Sequence, residues 1–197
     1  MYVPPHFSVP GKETLIRLLP EASFALLISC GEGGVPIATH LPFSYDESRG
    51  KHGTLIAHMA RANPHGKILE QGEALIIFQG PHAYISPRYY TTDTNVPTWN
   101  YVAVHAYGTP SIIEDTEKVR ALLDQLTEDN EKDRAEPWRT EMLDQKRLEG
   151  LMRGIIAFEI RIDRIEGKAK LGQNKSAEDQ AAVAAAIGTL WSAAKTD

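Results

Sequence analysis

The order of apolar and polar positions along the chain predicts a strand-rich molecule with a few peripheral helices. Strand-like segments are either continuous apolar runs or period-two alternations, and glycine, proline or polar turns bound them. They lie at residues 24–30, 35–46, 54–60, 73–80, 82–90, 99–114 and 154–172. Most connections between them are short, which is typical of an α+β barrel and not of the strand–helix alternation of a doubly wound sheet.

Helical periodicity is confined to a few segments. They lie at 11–21, 62–72, 116–150 and 176–191. The second segment should form about two turns, with Asn63 as the N-cap, Pro64 at the first helical position and Gly72 as the stop. The third should divide into two helices at Glu136-Pro137. Ser176 is the predicted cap of the last helix.

Composition and charge narrow the class of protein. The chain has 197 residues, 42% of them apolar and 24% charged, so it can build a core within one domain. A formal charge of −5 disfavours a broad basic surface for nucleic acid. No apolar stretch reaches the length needed to span a bilayer and the N-terminus does not resemble a signal peptide, so we expect a cytoplasmic protein without a membrane segment.

The cysteine and histidine pattern argues against several kinds of site. Cys30 is the single cysteine, which excludes an intrachain disulfide or a four-sulfur metal centre. It ends the apolar run FALLISC, and we predict that it is a small buried hydrophobe. Seven histidines show no metal-ligand spacing and no HExxH, so no metal site is predicted.

Basic and hydrogen-bonding residues are concentrated in AHMARANPHGKIL (57–69), where a strand runs into a predicted helix. A helix start carries unpaired N–H groups and a partial positive charge, and anions bind there. Arg61 precedes the Asn63 cap, while His65 and Lys67 fall in the first turn. This joint is the best phosphate candidate in the chain, and an ordinary capped helix with solvated basic residues is the alternative.

Two further segments are rich in groups that could contact a ligand. Aromatic residues between Tyr84 and Tyr107 could stack on a planar ring or could pack a core or subunit interface. Trp99-Asn100 lies within that stretch, where a loop enters a strand. His82, just before the stretch, and His105 could donate hydrogen bonds to a ligand. In KAKLGQNKSAED (168–179), three lysines flank Gln173-Asn174, whose amides could bind a ligand or could form a solvated turn.

The segments MYVPPHF, HMARANPH, GPHAYISPRYY, VPTWNYVAVHAYG and KLGQNKS together resemble the PaiB-type family of FMN-binding negative transcriptional regulators. That family lies within the flavin split-barrel group, which includes pyridoxamine 5′-phosphate oxidase. The resemblance implies one α+β domain over 1–197, a six-stranded split β-barrel with peripheral helices. The helical insertion would lie at about 116–150 and the C-terminal helix at about 176–191. It also implies a homodimer with FMN at the subunit interface.

The resemblance also implies, position by position, which residues of this chain would contact FMN. They are Arg61, Asn63 and His65 for the phosphate, Thr39, His40 and Leu41 for the isoalloxazine ring, Trp99, Asn100 and His105 from the partner subunit, and the Gln173-Asn174 turn. Gly172 stands where the family usually has serine, and the lost hydroxyl would weaken the site by about 1 kcal/mol.

The regulatory role and any contact with DNA follow from the resemblance alone. The chain has no convincing helix-turn-helix, and residues 116–150 hold ten acidic and seven basic side chains. Two other functions remain open. One is a flavin-dependent oxidoreductase for a small molecule, and the other is a haem-handling relative with His40 or His58 as an axial ligand.

Overall fold

The computed structural model describes residues 1–92 and 94–188. In chain order its strands are β1 (Ser8–Val9), β2 (Phe24–Cys30), β3 (Pro36–Pro42), β4 (Ser44–Asp46), β5 (Thr54–Ala60), β6 (Ala74–Ile85), β7 (Thr98–Gly108), β8 (Pro110–Ile112), β9 (Ile155–Arg161) and β10 (Arg164–Lys170). The α-helices are α1 (Gly11–Ala22), α2 (Thr116–Glu131), α3 (Gln145–Arg153) and α4 (Ala177–Ile187). This α+β composition, with a six-stranded antiparallel sheet, is the predicted fold class.

The chain divides into two compact units. Unit 1 comprises Met1–Ser23, Ile77–Ala106 and the described part of Ile165–Asp197, and unit 2 comprises Phe24–Ile76 and Tyr107–Arg164. The prediction of one domain over the whole chain stays a prediction. No described helix is long and apolar enough to cross a membrane.

Unit 1 is organised around strands in the order β1-β10-β7-β6. β1 pairs antiparallel with β10, which places Ser8 opposite Lys168. The core of this unit is formed by fully buried apolar side chains, namely Leu15, Leu18, Phe78, Ile85, Val102, Val104 and Ala169. Alternate positions of β7 supply part of that core, as the period-two pattern of the sequence predicts.

Unit 2 combines a hairpin with a four-stranded sheet. In the hairpin, β2 and β3 pair antiparallel with Leu27 opposite Thr39. The sheet has the order β4-β5-β9-β8. On one of its faces Ala157 packs with Val119 and Leu122 of α2, which therefore covers this face with its apolar side.

Four strand predictions were wrong in their continuity. Residues 35–46 form two strands, β3 and β4, and residues 99–114 form β7 and β8. Residues 73–90 hold one long strand, β6, and Gly80 lies inside it because its backbone packs closely against Leu18 and Val102. The segment 154–172 is two strands and not one. Its ladder is interrupted because the N–H of Ile162 donates to the Gly53 carbonyl whereas that of Asp163 donates to the Tyr107 carbonyl.

Other local predictions need correction as well. The segment 62–72 forms only a 3-10 helix at Pro64–Lys67, and Gly72 does not adopt the positive φ of a helix stop. Cys30 is exposed at the end of β2 and not buried. The division of 116–150 into two helices is confirmed. α4 is capped by Ser176 and ends at Ile187, and positions 189–191 of the predicted helix lie outside the described residues.

Candidate functional site

A hydrogen-bonded triad of side chains lies where β3 meets the turn after β5. Thr39 Oγ1 is 2.8 Å from His65 Nδ1 and also accepts a 3.3 Å hydrogen bond from Asn63 Nδ2. The backbone N–H of His65 donates to Asn63 Oδ1 at 3.0 Å. We call Thr39, Asn63 and His65 the turn triad. It brings together Asn63 and His65, which the sequence predicts as contacts of the FMN phosphate, and Thr39, which it predicts as a contact of the isoalloxazine ring.

The turn triad forms because the local sequence favours a tight turn at this point. Asn63 caps the 3-10 helix as predicted, and Pro64 occupies the first helical position, where it has no N–H to leave unpaired. The N–H groups of Asn63 and Gly66 donate to the carbonyls of Ala60 and Asn63. Most backbone donors at the start of this short helix are therefore used within the turn itself.

The imidazole of His65 is fully buried and lowered in basicity. Its side chain has no exposed surface, and burial lowers its pKa from the ordinary value. While Nδ1 bonds Thr39, the buried Nε2 has no hydrogen-bond partner among the described residues. An unpartnered buried polar atom costs free energy, so the packing and hydrogen bonds around the His65 ring must offset that cost. Because the His65 ring has no exposed surface, a ligand could contact the residues around His65 in this conformation but not the imidazole itself.

Acidification should destabilise the fold because burial lowers the pKa of both His65 and His58. The unfolded chain takes up protons near a pH of about 6.5, whereas the folded chain does so only at lower pH. The free energy of unfolding therefore falls as the pH drops from about 6.5 through the folded pKa. Urea unfolding at about pH 7.5 and pH 5.5 should show a shallower pH dependence in His65→Gln than in the natural chain. Equal dependence in both chains would contradict the buried neutral imidazole.

Arg61 points away from the turn triad. Its Nε donates to the Arg153 carbonyl at 2.8 Å and its Nη2 to the Ile155 carbonyl at 2.6 Å. Its backbone N–H donates to the Gly154 carbonyl. The side chain thus fixes the chain before the turn to the connection between α3 and β9, and only Nη1 has no partner among the described residues. A phosphate contact at Arg61 stays a prediction with one free nitrogen to support it.

The charges around the turn fit an anion. Lys67 is exposed and its ammonium has no partner in the described part of the chain. No carboxylate occurs between residues 54 and 69, and the next one, Glu70, accepts the Ile112 N–H at 3.0 Å. The second N–H of Asn63 Nδ2 is available as well. Lys67 and Asn63 therefore supply donors that suit a phosphate monoester, and a contribution from Arg61 Nη1 stays a prediction.

The neighbours of Thr39 on β3 differ in what they can reach. His40 is exposed and stacks on Phe24, with ring centroids 6.0 Å apart. Phe24 itself is 64% exposed, so this aromatic pair presents a free face. Leu41 is 7% exposed and lies in the core. Of the three residues predicted to contact the isoalloxazine ring, His40 offers an exposed planar surface, whereas the Leu41 side chain is buried and offers none.

In unit 1 the residues at the start of β7 form an aromatic surface. Trp99 is 54% exposed and contacts Tyr84 and His82, with ring centroids 5.9 and 6.2 Å away. Asn100 is almost completely buried, and His105 is half-buried further along β7. Trp99 is accessible to a ligand or a protein, whereas Asn100 is oriented into the unit.

Three lysines of unit 1 lie together with few acidic partners. Lys168 is buried, donates to the Tyr2 carbonyl at 3.0 Å and lies 5.2 Å from the centre of the Tyr101 ring. Lys170 donates to Thr98 Oγ1 at 2.5 Å. Burial lowers the pKa of Lys170, and the charges of Lys168 and Lys175 lower it further. We call Lys168, Lys170 and Lys175 the lysine cluster; an anion bound beside it would relieve this mutual repulsion.

In the Gln173-Asn174 turn, the side-chain amide of Gln173 is used in hydrogen bonds to the backbone, whereas in the described part of the chain that of Asn174 is not. Gln173 Oε1 accepts the Leu171 N–H at 2.8 Å and its Nε2 donates to the Ala169 carbonyl at 2.6 Å. Asn174 is exposed without a described partner. Gly172 has a φ of +90°, a conformation that serine rarely adopts. The local backbone therefore favours glycine over serine at this position, independently of any contact that a hydroxyl would make.

Sequence reasoning missed the contacts that fix the lysine cluster. Tyr2 and Lys168 are 166 positions apart, and Lys170 and Thr98 are 72 apart. No periodicity or spacing rule connects such distant positions. The proline-rich start MYVPPHF was the only signal, because it is too extended to form structure alone and must lie against other elements.

Comparison with known proteins identifies the family of this chain. The family described as "Putative FMN-binding domain" matches residues 1–164. The "Protease synthase and sporulation protein PAI 2" of Bacillus subtilis (strain 168) is 40% identical over 180 residues, which cover 91% of this chain and 85% of the relative.

Solved structures show the same fold at lower identity. The FAD and heme binding protein from Mycobacterium smegmatis superposes with a TM-score of 0.63 at 22% identity, covering 92% of this chain and 80% of that one. The flavocytochrome Anf3 from Azotobacter vinelandii gives 0.59 at 19% identity, covering 91% and 78%. The chain belongs to the FMN-binding split-barrel family that includes the Bacillus subtilis PAI 2 protein, and its cofactor is FMN.

Proposed function

We propose that this protein is an FMN-dependent regulator of the negative transcriptional type, whose flavin phosphate binds at the turn triad. The observation that carries the proposal is the pairing of Thr39, Asn63 and His65 beside a stretch with basic and no acidic side chains. The relative named for protease synthase and sporulation supports a regulatory role. The net charge of −5 favours action through a partner or a redox signal over a broad DNA-binding surface.

Each residue around the triad has a distinct task in this proposal. Asn63 Nδ2 donates to a phosphate oxygen, and Lys67 balances its charge from the solvent side. Thr39 holds the Asn63 amide in place, and the buried His65 ring holds Thr39. His65 is thus a positioning residue and not a direct ligand. Bound FMN supplies an electron acceptor that can be reduced reversibly, which a protein side chain cannot provide.

The proposal also includes a site for the isoalloxazine ring of FMN and a homodimer that completes it. The exposed faces of His40 and Phe24 are suited to stacking on an aromatic ring system. Two copies of the chain would pair so that the second brings its Trp99, Asn100 and His105 to the flavin. The exposure of Trp99 and Tyr84 supports a protein contact at this surface. Asn174, whose amide is free, would contact the ligand, and Gln173 would shape its turn.

Arg61→Ala should weaken FMN binding at least about tenfold, because charge-assisted contacts are worth about 1.5–3 kcal/mol. The substitution removes a positive charge and releases the turn from the Arg153 and Ile155 carbonyls. Quenching of flavin fluorescence on titration with protein measures the affinity. Lys51→Ala, an exposed lysine in a separate turn, is the control. Unchanged affinity in Arg61→Ala would remove this residue from the site.

Two measurements test the function itself. The absorption spectrum of the purified protein, with mass analysis of what denaturation releases, should identify FMN; a haem spectrum would instead favour the alternative with a histidine ligand. A gel shift at moderate salt against upstream genomic DNA, with oxidised and reduced flavin, tests regulation by direct binding. Binding no stronger than to unrelated DNA in both states would limit the protein to action through a partner.

A further inference from the structure

A cavity of about 630 Å³ lies in unit 2, on the side of the small sheet covered by α2 and α3. Apolar side chains form its wall, namely Ile113, Val119, Met152, Ile155 and Ala157. This volume and this apolar lining are typical of pockets for small molecules. None of these five residues belongs to the turn triad or to its neighbours on β3.

Charged groups of both signs stand at this cavity. Arg61 and Arg153 line it together with Glu114 and Glu149. The two guanidinium groups and the two carboxylates have a formal sum of zero. The backbone carbonyls already hold Arg61, whereas the guanidinium of Arg153 has no hydrogen-bond partner among the described residues.

Glu149 and Arg153 are one helical turn apart on α3 and do not bond to each other. Glutamate four residues before arginine is the spacing at which such pairs form along a helix. Instead, Glu149 accepts a 2.9 Å hydrogen bond from Gln145 and Arg153 stays open. Both side chains line the cavity, so a carboxylate and a guanidinium that are not paired with each other border the same apolar space.

We propose that this cavity binds an α-amino acid with a large apolar side chain. The ligand carboxylate would bond the Arg153 guanidinium, its ammonium group would bond the Glu149 and Glu114 carboxylates, and its side chain would lie on the apolar wall. A fatty acid or a simple amine would satisfy only one sign of charge and leave the other carboxylate or guanidinium without a counterpart. Charge complementarity therefore selects the zwitterion.

Arg61 connects this cavity to the turn triad. It lines the cavity, its side chain and backbone bond three consecutive carbonyls at the end of α3, and it stands two residues before Asn63. A ligand that holds Arg153 should fix those carbonyls and with them the entry to the turn. The amino acid would then tighten FMN binding, and FMN would tighten amino-acid binding by the same factor. This coupling rests on the proposed flavin site, whereas the binding of the amino acid does not.

Isothermal titration of the full chain with L-leucine, L-phenylalanine and L-tryptophan tests the binding, with and without saturating FMN. At least one should bind with a Kd below about 1 mM. For phenylalanine, 3-phenylpropionate lacks the ammonium group and 2-phenylethylamine lacks the carboxylate, and each should bind at least about tenfold more weakly. Absence of binding by all three amino acids up to about 10 mM, or binding of either analogue as tightly as phenylalanine itself, would overturn the proposal.

The charged residues that line the cavity on α3 are exposed, so they can be substituted without disturbing the hydrophobic core. Arg153→Gln and Glu149→Gln should each weaken the amino acid at least about tenfold. Lys146→Gln, an exposed position of α3 that does not line the cavity, should leave the affinity unchanged. Thermal melting confirms that each variant is folded. Affinity in Arg153→Gln equal to that of the natural chain would contradict the carboxylate contact.

The coupling has its own readout. FMN affinity should rise at least about fivefold at saturating amino acid in the natural chain, and the rise should disappear in Arg153→Gln. Amino-acid binding without any change in FMN affinity would overturn the coupling and leave the cavity assignment in place. Absence of FMN binding under every condition would count against the flavin site alone, because the amino-acid titrations without FMN remain interpretable.

Discussion

Asn63→Ala should weaken FMN binding at least about thirtyfold, the largest loss of affinity expected from one side chain at the turn triad. The substitution removes a donor to the phosphate, worth about 1.5–3 kcal/mol, and the cap of the 3-10 helix, worth about 0.5–2 kcal/mol. It also releases Thr39, which then loses the 3.3 Å hydrogen bond from Asn63 Nδ2. Fluorescence titration of apoprotein with FMN gives the affinity, and urea unfolding gives the loss of stability.

Asn63→Asp separates the two effects. Aspartate keeps an oxygen that accepts the His65 N–H, so the cap and most of the stability should be retained. It replaces the amide donor by a negative charge, which repels a phosphate. We therefore expect Asn63→Asp to lose FMN affinity as severely as Asn63→Ala while it unfolds at a urea concentration near that of the natural chain. An aspartate variant that binds FMN normally would exclude Asn63 as a phosphate ligand.

Gly108→Ala should lower the free energy of unfolding by about 2–4 kcal/mol. A Cβ atom at this position would overlap the Arg161 carbonyl oxygen and lie 2.9 Å from Ile160 Cγ2. The overlapping group is the backbone of β9, which cannot rotate away as a flexible side chain could. Relief would require the end of β7 to move, and the adjoining hydrogen bond from the Asp163 N–H to the Tyr107 carbonyl would be strained.

Gly72→Ala is the matched control for that substitution. Gly72 is exposed, has no positive φ, and a Cβ added there meets no atom within 4 Å. Alanine should change stability by less than about 1 kcal/mol and could increase it by restricting the unfolded chain. Urea unfolding of both variants at one pH measures the difference. Equal stability of the two variants would show that β7 and β9 approach each other less closely than described.

Features that depend on neighbouring residues were predictable from the sequence. β2 begins and ends as the apolar run FALLISC does, and Asn63 caps its turn because Asn-Pro favours that conformation in any context. Ser176 caps α4 for the same kind of reason. The basic character of the turn after β5 could also be read directly, because it depends only on which side chains the segment contains.

Features that depend on distant residues could not be read in the same way. The direction of Arg61 is set by carbonyls 92 and 94 positions away, which turn its guanidinium from the triad toward the cavity. β6 continues through Gly80-Pro81 because Leu18 and Val102 pack on its backbone. The exposure of Cys30 follows from its place at the end of a hairpin strand and not from its apolar neighbours.

The sequence by itself determined the family, the α+β class and a short list of groups able to bind a phosphate, because motifs and periodicity are local properties of a chain. Only the tertiary structure decided which of those groups face each other. It paired Thr39 with His65 across 26 positions, buried the His65 ring, and opened a separate cavity at Arg153. The physical reason is that hydrogen bonds and burial select partners by distance in space, and sequence spacing fixes that distance only within a turn, a helix or a hairpin.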